Sequence, residues 1–362
     1  MSGSATEFDV IVVGGGPAGA ATAICTAARG LRTLVLEGSG SPHRRPGETL
    51  HPGTHQLFRL LGVDTSVDAA GFLRHAGYFI RTHQQEQIYS YGSDHQGELL
   101  GYQADRAKLE SILLNGALCS GSLVKRRQNV LSAIVEGGVV TGVASKSSMY
   151  SARFVVDATG SLQWLRRQLK LPLLRVSRFL IANYGWADLP EGEESDGILP
   201  EFNVDKQSWT WIAPITPTRR AWVSLDLNSS LGHDAQIPHQ VASFRSVGRL
   251  RRSDVTWRLA RPCAGPGYFL VGDAAWVVDP ASSHGVLKAL VSGIVAADAI
   301  RTTIERQERS SKVRSSYCAW MERWFCTDAS ALISLYLQMV GSPSWLAAAS
   351  EAVRYISMNP SA

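Results

Sequence analysis

The sequence is poor in cysteine and lysine, and it contains no long apolar run. Its five cysteines form no CxxC pair, which argues against a zinc or iron–sulfur site and is typical of a protein from a reducing compartment. No apolar stretch approaches the roughly 18 residues that a membrane-spanning helix needs, so we expect no transmembrane segment. A β-branched segment already begins at Asp9, which leaves no room for a signal peptide, and we therefore expect a cytoplasmic protein.

Charge does not indicate a polyanionic partner. The net charge is +5, and the basic residues, of which only seven are lysines, are scattered along the chain. Two short basic groups, at 125–127 and 249–252, are typical of solvated surface, so we expect no nucleic-acid partner. A length of 362 residues with 45% apolar content is enough for one large or two medium domains.

A complete dinucleotide-binding fingerprint lies near the N-terminus. A β-branched strand at 9–13 precedes a GxGxxG motif at 14–19, and a helix of small residues follows over 18–29. Such glycines permit a tight turn, close approach of a pyrophosphate and packing of the helix on the strand. A second strand at 31–37 ends in Glu37, where a carboxylate can accept from the hydroxyls of an unphosphorylated ribose. This segment predicts FAD or NAD and disfavours NADP.

A second nucleotide signature lies far downstream. Residues 272–275 have the sequence Gly-Asp-Ala-Ala, and residues 279–285 have the sequence Asp-Pro-Ala-Ser-Ser-His-Gly. Two signatures so far apart in one chain are expected to hold the two ends of a single extended cofactor. The pair therefore predicts FAD.

The order of predicted elements indicates a discontinuous α/β fold. Asp105 is the expected N-cap of an amphipathic helix over 104–118. We expect three parts: a Rossmann-type FAD-binding domain, an inserted antiparallel-sheet substrate domain and a helical C-terminus. Their respective ranges are 1–70, 104–170 and 263–305; 71–103 and 171–262; and 306–362.

Five motifs together produce a family resemblance. They are the glycine motif with Glu37, Pro46-Gly47-Glu48-Thr49-Leu50, Asp105-Arg106, Asp157-Ala158-Thr159-Gly160, and Gly272-Asp273-Ala274. With these motifs in this order, the chain resembles the p-hydroxybenzoate hydroxylase-like flavoproteins, and within them the branch of tryptophan halogenases and geranylgeranyl reductases. The resemblance covers nearly the whole chain and implies bound FAD.

The resemblance implies contacts along the whole cofactor. Asp273 would accept from a ribityl hydroxyl, and Pro280 would lie near the isoalloxazine where oxygen meets the flavin. The N–H groups of Gly285 and Val286 would stabilise negative charge at the pyrimidine end of the ring. The contacts expected on the ADP side are Arg44 or Arg45, Arg106 and the main chain near Val124. The remaining expected contacts are Gly14, Gly16, Pro17, Ala18, Gly19, Glu37, Glu48, Thr49, Leu50, Thr159, Gly160, Gly272 and Ser283.

Residues 209–214 resemble a further motif of this branch. The segment Trp209-x-Trp211-x-x-Pro214 is similar to the Trp-x-Trp-x-Ile-Pro signature of flavin halogenases, with Ala213 in the position of isoleucine. In that branch the segment lies between flavin and substrate. Strand alternation places Trp209 and Trp211 on one face. The alternative interpretation is that both are core tryptophans of a sheet.

The sequence departs from the halogenases at their reactive positions. Halogenases use a lysine downstream of the Gly-Glu motif, but residues 71–75 are Gly-Phe-Leu-Arg-His, and an arginine stays protonated and cannot form a haloamine. The halogenase glutamate and threonine are replaced by Ser282 and His284. His284 is a candidate general acid or base, or a hydrogen-bond partner of the flavin; the alternative is a packed or helix-capping histidine. His51 is a weaker candidate for the same cavity.

These departures favour an FAD-dependent monooxygenase. It would hydroxylate an electron-rich aromatic substrate through a C4a-hydroperoxyflavin, with molecular oxygen as co-substrate. The substrate would be tryptophan-like, indole-like or phenolic, and either a small molecule or bound to a peptide or carrier. The segment 279–285 resembles flavoprotein monooxygenases that mature peptide-derived quinone cofactors. The candidate catalytic residues are His284, Pro280, Trp211 and Trp209.

The electron source and the alternative activities stay open. The chain has no second glycine fingerprint, and residues 159–161 lack the aspartate with which some relatives bind NAD(P)H. A partner flavin reductase is therefore favoured over direct reduction by NAD(P)H. The alternatives are a halogenase with altered relay residues, a reductase or dehydrogenase of a lipid or biosynthetic intermediate, and a flavin-binding scaffold without activity.

Overall fold

The computed structural model describes residues 6–40, 48–83, 85–95, 97–192, 197, 199–228 and 237–360. The strands are β1 (Thr6–Val13), β2 (Thr33–Glu37), β3 (Glu48–Leu50), β4 (Leu73–His75), β5 (Gly77–Arg81), β6 (Glu86–Ser90), β7 (Ser93–Asp94), β8 (Gly97–Glu98), β9 (Gly101–Ala104), β10 (Leu123–Arg126), β11 (Val130–Glu136), β12 (Val139–Ser145), β13 (Met149–Asp157), β14 (Leu173–Arg175), β15 (Ile181–Asp188), β16 (Glu201–Val204), β17 (Ser208–Thr216), β18 (Arg219–Asp226), β19 (Arg245–Asp254), β20 (Arg258–Ala260), β21 (Ala264–Gly265), β22 (Tyr268–Leu270) and β23 (Trp276–Val277). The α-helices are α1 (Pro17–Ala27), α2 (Thr54–Leu60), α3 (Asp64–Asp68), α4 (Arg106–Cys119), α5 (Trp164–Gln168), α6 (Gly285–Glu305), α7 (Ser310–Leu337) and α8 (Leu346–Met358).

A largely parallel sheet forms the nucleotide-binding part. Its strand order is β10-β2-β1-β13-β12-β11, and β22 pairs in parallel with β13. Strands β10, β2, β1 and β13 run parallel to one another, whereas β11 and β12 join as an antiparallel extension. The strand residues Val10, Ile11 and Val12 are fully buried, as expected where helices cover both faces of a parallel sheet. The N-terminal strand–helix–strand unit predicted from the sequence is present.

A second, mainly antiparallel sheet of seven strands lies beside it. The order is β19-β15-β18-β17-β16-β5-β6, and only β16 and β5 pair in parallel. Its strands come from 77–90 and 181–254, within the two segments that we assigned to the substrate part. The predicted fold class is therefore confirmed, whereas the domain boundaries themselves stay a prediction.

Helices complete the architecture. Asp105 caps α4 as predicted, because its side chain accepts from the N–H of Lys108 at 2.8 Å. The long helix α6 packs against α1, and α7 packs against α6 and α8, which gives the predicted helical C-terminus. No helix in the described part of the chain is long and apolar enough to cross a membrane.

Candidate active site

One cavity of about 1430 Å³ runs between the two sheets. Its walls come from the glycine motif, the end of β2, the segment 272–289, and the face of the seven-stranded sheet. Ordinary small-molecule pockets measure roughly 300–1,000 Å³, so this cavity has room for an extended dinucleotide and a second molecule.

The glycine motif forms one end of the cavity, and each glycine there meets a different constraint. Gly14 has φ +106°, and a Cβ at this position would lie 2.4 Å from the carbonyl oxygen of Ala158. A Cβ on Gly19 would lie 2.0 Å from the carbonyl oxygen of Gly14, so this glycine lets α1 pack on β1. Gly16 has no protein atom within 4 Å of its Cβ position and lines the cavity, which leaves its backbone open to a ligand. These three roles match a pyrophosphate-binding turn.

Glu37 lies beside this turn at the end of β2. The N–H of Gly15 donates to its Oε2 at 2.6 Å, and the N–H of Ser39 donates to its Oε1 at 2.7 Å. The carboxylate lines the cavity, and each of its oxygens keeps a further lone pair for a ribose hydroxyl. The residues present therefore fit an adenosine ribose at the predicted place.

Of the other residues predicted to contact the ADP part of the cofactor, only some line the cavity. The buried side chain of Arg106 donates through Nε to Glu110 at 2.7 Å, and both residues line the cavity. Strand β10 contributes through Arg126 and the residues after it, whereas Val124 is not one of the described lining residues. Arg44 and Arg45 lie outside the described residues, as does the side chain of Glu48.

Asp273 takes part in an ion pair that we did not predict. Its Oδ1 lies 2.7 Å from Nζ of Lys288, and both side chains line the cavity. Nζ of Lys288 also donates to the carbonyl of Trp276 at 2.9 Å and lies 4.1 Å from the centroid of that indole ring. The lysine side chain is only 4% exposed, so its charge is held inside the wall where the resemblance implies a ribityl chain.

The loop before α6 and the segment after β13 form two walls around the middle of the cavity. Pro280 begins a single 3₁₀ turn, Ser283 has φ +56°, and α6 begins at Gly285. On the other wall, Thr159 donates twice to the buried carboxylate of Asp157, at 2.9 and 2.7 Å. Of the predicted contacts in these walls and in the strand β3, those that line the cavity are Thr49, Leu50, Thr159, Gly160, Gly272, Asp273, Pro280, Ser283, Gly285 and Val286.

His284 does not cap α6 with its side chain. Its Nδ1 lies 3.0 Å from Oδ1 of Asp328 on α7, and both residues line the cavity. The hydrogen bond from Asp328 raises the pKa of His284, against the opposing effect of burial. The Asp328 side chain is 2% exposed, and its Oδ2 has no hydrogen-bond partner among the described residues. A carboxylate–imidazole pair thus lies at the start of α6.

His51 faces the same cavity from the other side. Its pKa is lowered by burial and, to a smaller extent, by the charge of His284. Its ring stands edge-on to Tyr91, with centroids 5.0 Å apart. The weaker sequence candidate is thus placed together with the stronger one.

The two tryptophans of β17 have different roles. Both contact Phe202, at centroid distances of 5.6 and 5.9 Å, and both line the cavity, so the predicted shared face is present. Trp209 is 1% exposed, and its indole N–H donates to the hydroxyl of Tyr336 at 2.9 Å. Trp211 is half-buried, and its N–H donates to Thr49 at 3.0 Å. Trp209 therefore has the contacts of a core residue, whereas Trp211 joins the sheet to the Gly-Glu-Thr-Leu segment.

A buried carboxylate fixes the loop below Trp209. Asp279 accepts from the hydroxyl of Tyr336 and from the indole N–H of Trp257, both at 2.8 Å. Burial raises its pKa to about 6, and these donors oppose the shift. The group links α7, the residue just before β20 and the Pro280 loop, which positions that loop in the cavity wall.

In the segment 71–75, where halogenases carry a lysine, Arg74 and His75 both contact backbone carbonyl groups. The guanidinium of Arg74 donates to the carbonyls of Leu100 and Gly101 and lies 3.9 Å above the ring of Tyr102. His75 is fully buried, and its Nδ1 lies 2.8 Å from the carbonyl of Gly77. Among the described residues that line the cavity, Lys288 is the only lysine.

Comparison with known proteins agrees with this geometry. The family model of the FAD binding domain matches residues 7–291. A 1H-pyrrole-2-carbonyl-[peptidyl-carrier protein] brominase of Pseudoalteromonas luteoviolacea is 27% identical over 341 residues, covering 83% of this chain and 78% of the relative.

Two solved structures share the fold. The myxobacterial chondrochloren halogenase has a TM-score of 0.84 at 24% identity, covering 97% of this chain and 89% of that one. A peptidyl tryptophan dihydroxylase of tryptophylquinone cofactor biogenesis has a TM-score of 0.70 at 22% identity, covering 95% of this chain and 79% of that one. The resemblance inferred from the sequence is confirmed. The chain belongs to the FAD binding domain family, and it is a halogenase-like, FAD-dependent oxidoreductase.

Proposed function

We propose that this protein is an FAD-dependent monooxygenase that hydroxylates an electron-rich aromatic ring. The observation that supports this most directly is the His284–Asp328 pair at the start of α6, on the wall of the cavity. A positioned imidazole with a raised pKa suits proton transfer with a phenol or an indole near neutral pH.

FAD would lie along the cavity, with its ADP part at Gly16 and Glu37 and its flavin part at the loop from Pro280 to Gly285. When bound, it supplies the activation of molecular oxygen; reducing equivalents would come from NAD(P)H directly or through a partner flavin reductase. The first N–H groups of α6 have no intrahelical acceptors, so they can stabilise negative charge that develops on the flavin or the substrate.

The His284 side chain has one nitrogen committed to Asp328 and one left for the reaction. Because a carboxylate only accepts, Nδ1 carries the proton in that hydrogen bond, and Nε2 is the atom that takes a proton from or gives one to a substrate hydroxyl or ring N–H. The imidazole is 45% exposed in the open cavity, so a substrate can reach it.

The cavity wall opposite α6 suits a flat ring. Tyr78, Tyr91, Phe202 and Trp211 line it, and Tyr78 lies 6.1 Å from both Tyr91 and Trp211 between centroids. Such distances are typical of offset or edge-to-face aromatic packing, which a substrate ring can continue. One related protein is named for a pyrrole bound to a carrier protein, and another is named for a peptidyl tryptophan. By analogy, we propose that the aromatic ring of the present substrate is also attached to a larger molecule.

Halogenation is the second candidate, and the relatives favour it. The brominase and the chondrochloren halogenase are similar over most of this chain, and the two tryptophans of β17 lie in the wall. The residues of the cavity wall favour halogenation less than the relatives do. Arg74 is held by two carbonyls, and Lys288 is ion-paired with Asp273, so no described lining lysine has a free amine for a halogen relay.

The two candidates differ in the atom that enters the product. The FAD-loaded enzyme should be supplied with a flavin reductase, NADH and labelled ¹⁸O₂, and with indoles, phenols and short tryptophan peptides, in the presence and absence of bromide. Label in the product without any requirement for bromide is the expected result. A product that gains bromine, and only when bromide is present, would establish the halogenase instead.

Variants of histidine identify the proton-transfer group. His284→Gln should lower kcat by about 100-fold or more without loss of bound FAD. His239→Gln, which replaces an exposed histidine away from the cavity lining, is the matched control and should retain full activity.

A further inference from the structure

Three tryptophans form a row from the cavity wall towards the outside of the protein. The ring centroids of Trp276 and Trp324 are 6.1 Å apart, and those of Trp324 and Trp320 are 5.4 Å apart. Trp276 is in β23, between Asp273 and Asp279, and belongs to the cavity wall. Indole is among the most easily oxidised of protein side chains, and rings this close exchange electrons rapidly.

The oxidised state, in which the indole has lost one electron, is unfavourable at the inner ring, Trp276. Trp276 is completely buried, and its indole N–H has no hydrogen-bond partner among the described residues. An oxidised Trp276 could therefore not relax by losing that proton. The lack of a proton acceptor at Trp276 therefore favours movement of the missing electron's site to the outer rings.

The outer rings, Trp324 and Trp320, differ from Trp276 in their exposure to solvent. Trp320 and Trp324 are four residues apart on α7, hence on one helix face, and both are only partly buried. At a partly exposed indole, water can accept the N–H proton and so trap the oxidised state. Phe325 also contacts Trp276, at 5.7 Å, but a phenyl ring is far harder to oxidise, so the route passes through Trp324.

We propose that Trp276, Trp324 and Trp320 form an electron-transfer path between the flavin site and the protein surface. Under illumination, with FAD bound in the cavity, Trp276 would give one electron to the flavin, Trp324 would return one electron to Trp276, and Trp320 would return one electron to Trp324. Trp320 then releases its N–H proton to water, and a thiol in solution returns one electron and one proton to it.

A tyrosine pair offers the competing route. Trp211 lies 6.1 Å from Tyr78, which stacks on the exposed Tyr89 at 5.5 Å. A tyrosine has to lose its phenolic proton as it is oxidised, and burial raises the pKa of Tyr78, which makes that loss harder. This pair provides a control for the tryptophan path.

The test is anaerobic photoreduction of the FAD-loaded enzyme by blue light with dithiothreitol and no aromatic substrate, so it does not depend on which product the enzyme makes. Bleaching of the oxidised flavin absorption should slow by at least about tenfold in Trp320→Phe and in Trp324→Phe, and remain within about twofold of wild type in Tyr89→Phe. Electron paramagnetic resonance should show a neutral tryptophan radical in the wild type and lose it in the double variant Trp320→Phe/Trp324→Phe. Equal FAD content and equal melting temperature confirm that the variants are folded. Unchanged bleaching in both tryptophan variants, or slowing only in Tyr89→Phe, would overturn the path.

Discussion

Nδ1 of His284 lies 3.0 Å from Oδ1 of Asp328, although the two residues are 44 positions apart, one immediately before α6 and the other within α7. The hydrogen bond fixes the imidazole tautomer and raises its pKa above the ordinary value. Stability that comes from this pair is fully present below the unfolded pKa of His284 and is lost as pH rises through its higher folded pKa. The same titration would govern activity if His284 transfers the proton.

Asp328→Asn should shift the pH profile of the reaction. Without the carboxylate, the pKa of His284 should fall, so the limb of the kcat profile that reports its titration should move to lower pH. The rate at the optimum should fall by at least about tenfold, because the tautomer is no longer fixed. Steady-state kinetics between pH 5 and 9 measure both effects.

Asp328→Glu is the conservative comparison and should restore part of the shift if the carboxylate charge is what matters. If Asp328→Asn loses activity but leaves the limb of the profile where it was, Asp328 is a structural residue only.

Local patterns in the sequence predicted the parts of the site that depend on neighbouring residues. The glycine motif, Glu37 and the cap at Asp105 all depend on backbone geometry within one strand–helix unit, and the structure shows each in its predicted place. The alternation of Trp209 and Trp211 is equally local, and it placed both rings on one face.

Contacts between distant segments were not predictable in the same way. Asp328 has no local pattern that marks it, because its partner lies in a distant segment, just before α6. An acidic residue at an apolar-periodic position of α7 is a sequence signal, but Glu322 on the same helix gives the same signal and has a different partner. The burial of Trp209 against Tyr336 likewise depends on how α7 docks. The expected main-chain contact near Val124 stays a prediction, and Arg126 of the same strand lines the cavity.

A pair of glycine variants separates cofactor binding from folding. Gly16→Ala adds a methyl group where no protein atom lies within 4 Å, so the protein should fold with its unfolding free energy changed by less than about 1 kcal/mol. The same methyl group enters the cavity, so the FAD dissociation constant should rise by at least about tenfold.

Gly19→Ala should destabilise the fold itself, unlike Gly16→Ala. Its Cβ would lie 2.0 Å from the carbonyl oxygen of Gly14, so this variant should lose about 3 kcal/mol of stability even without cofactor. Urea unfolding of the apoprotein and flavin titration distinguish the two variants. Identical behaviour in both assays would show that Gly16 does not face the cofactor.

Tyr336→Phe tests the buried network behind the Pro280 loop. It removes the donor to Asp279 and leaves the indole N–H of Trp209 without an acceptor, which should cost about 1–3 kcal/mol for the unsatisfied group. Tyr355→Phe removes a hydroxyl from a side chain that is 63% exposed and should stay within about 0.5 kcal/mol of wild type. Chemical unfolding at constant pH measures both, and equal losses would mean that the network contributes no stability.

The contribution of Asp279 to the free energy of unfolding should decrease as pH rises through the acidic range. Its pKa is about 6 in the folded protein, against 3.8 for an ordinary aspartate, so between these values the folded state binds more protons than the unfolded state. The free energy of unfolding should therefore contain a component that is fully present below pH 3.8 and is lost by about pH 6. The shift of about two pKa units corresponds to about 3 kcal/mol. Asp279→Asn removes this component, so the variant should gain stability relative to wild type as pH rises from 4 to 7. The control is Asp226→Asn, which replaces an exposed carboxylate, and its curve of unfolding free energy against pH should stay parallel to that of wild type. Urea unfolding at half-unit pH intervals gives both curves, and parallel curves for Asp279→Asn and wild type would show that the buried carboxylate does not titrate in this range.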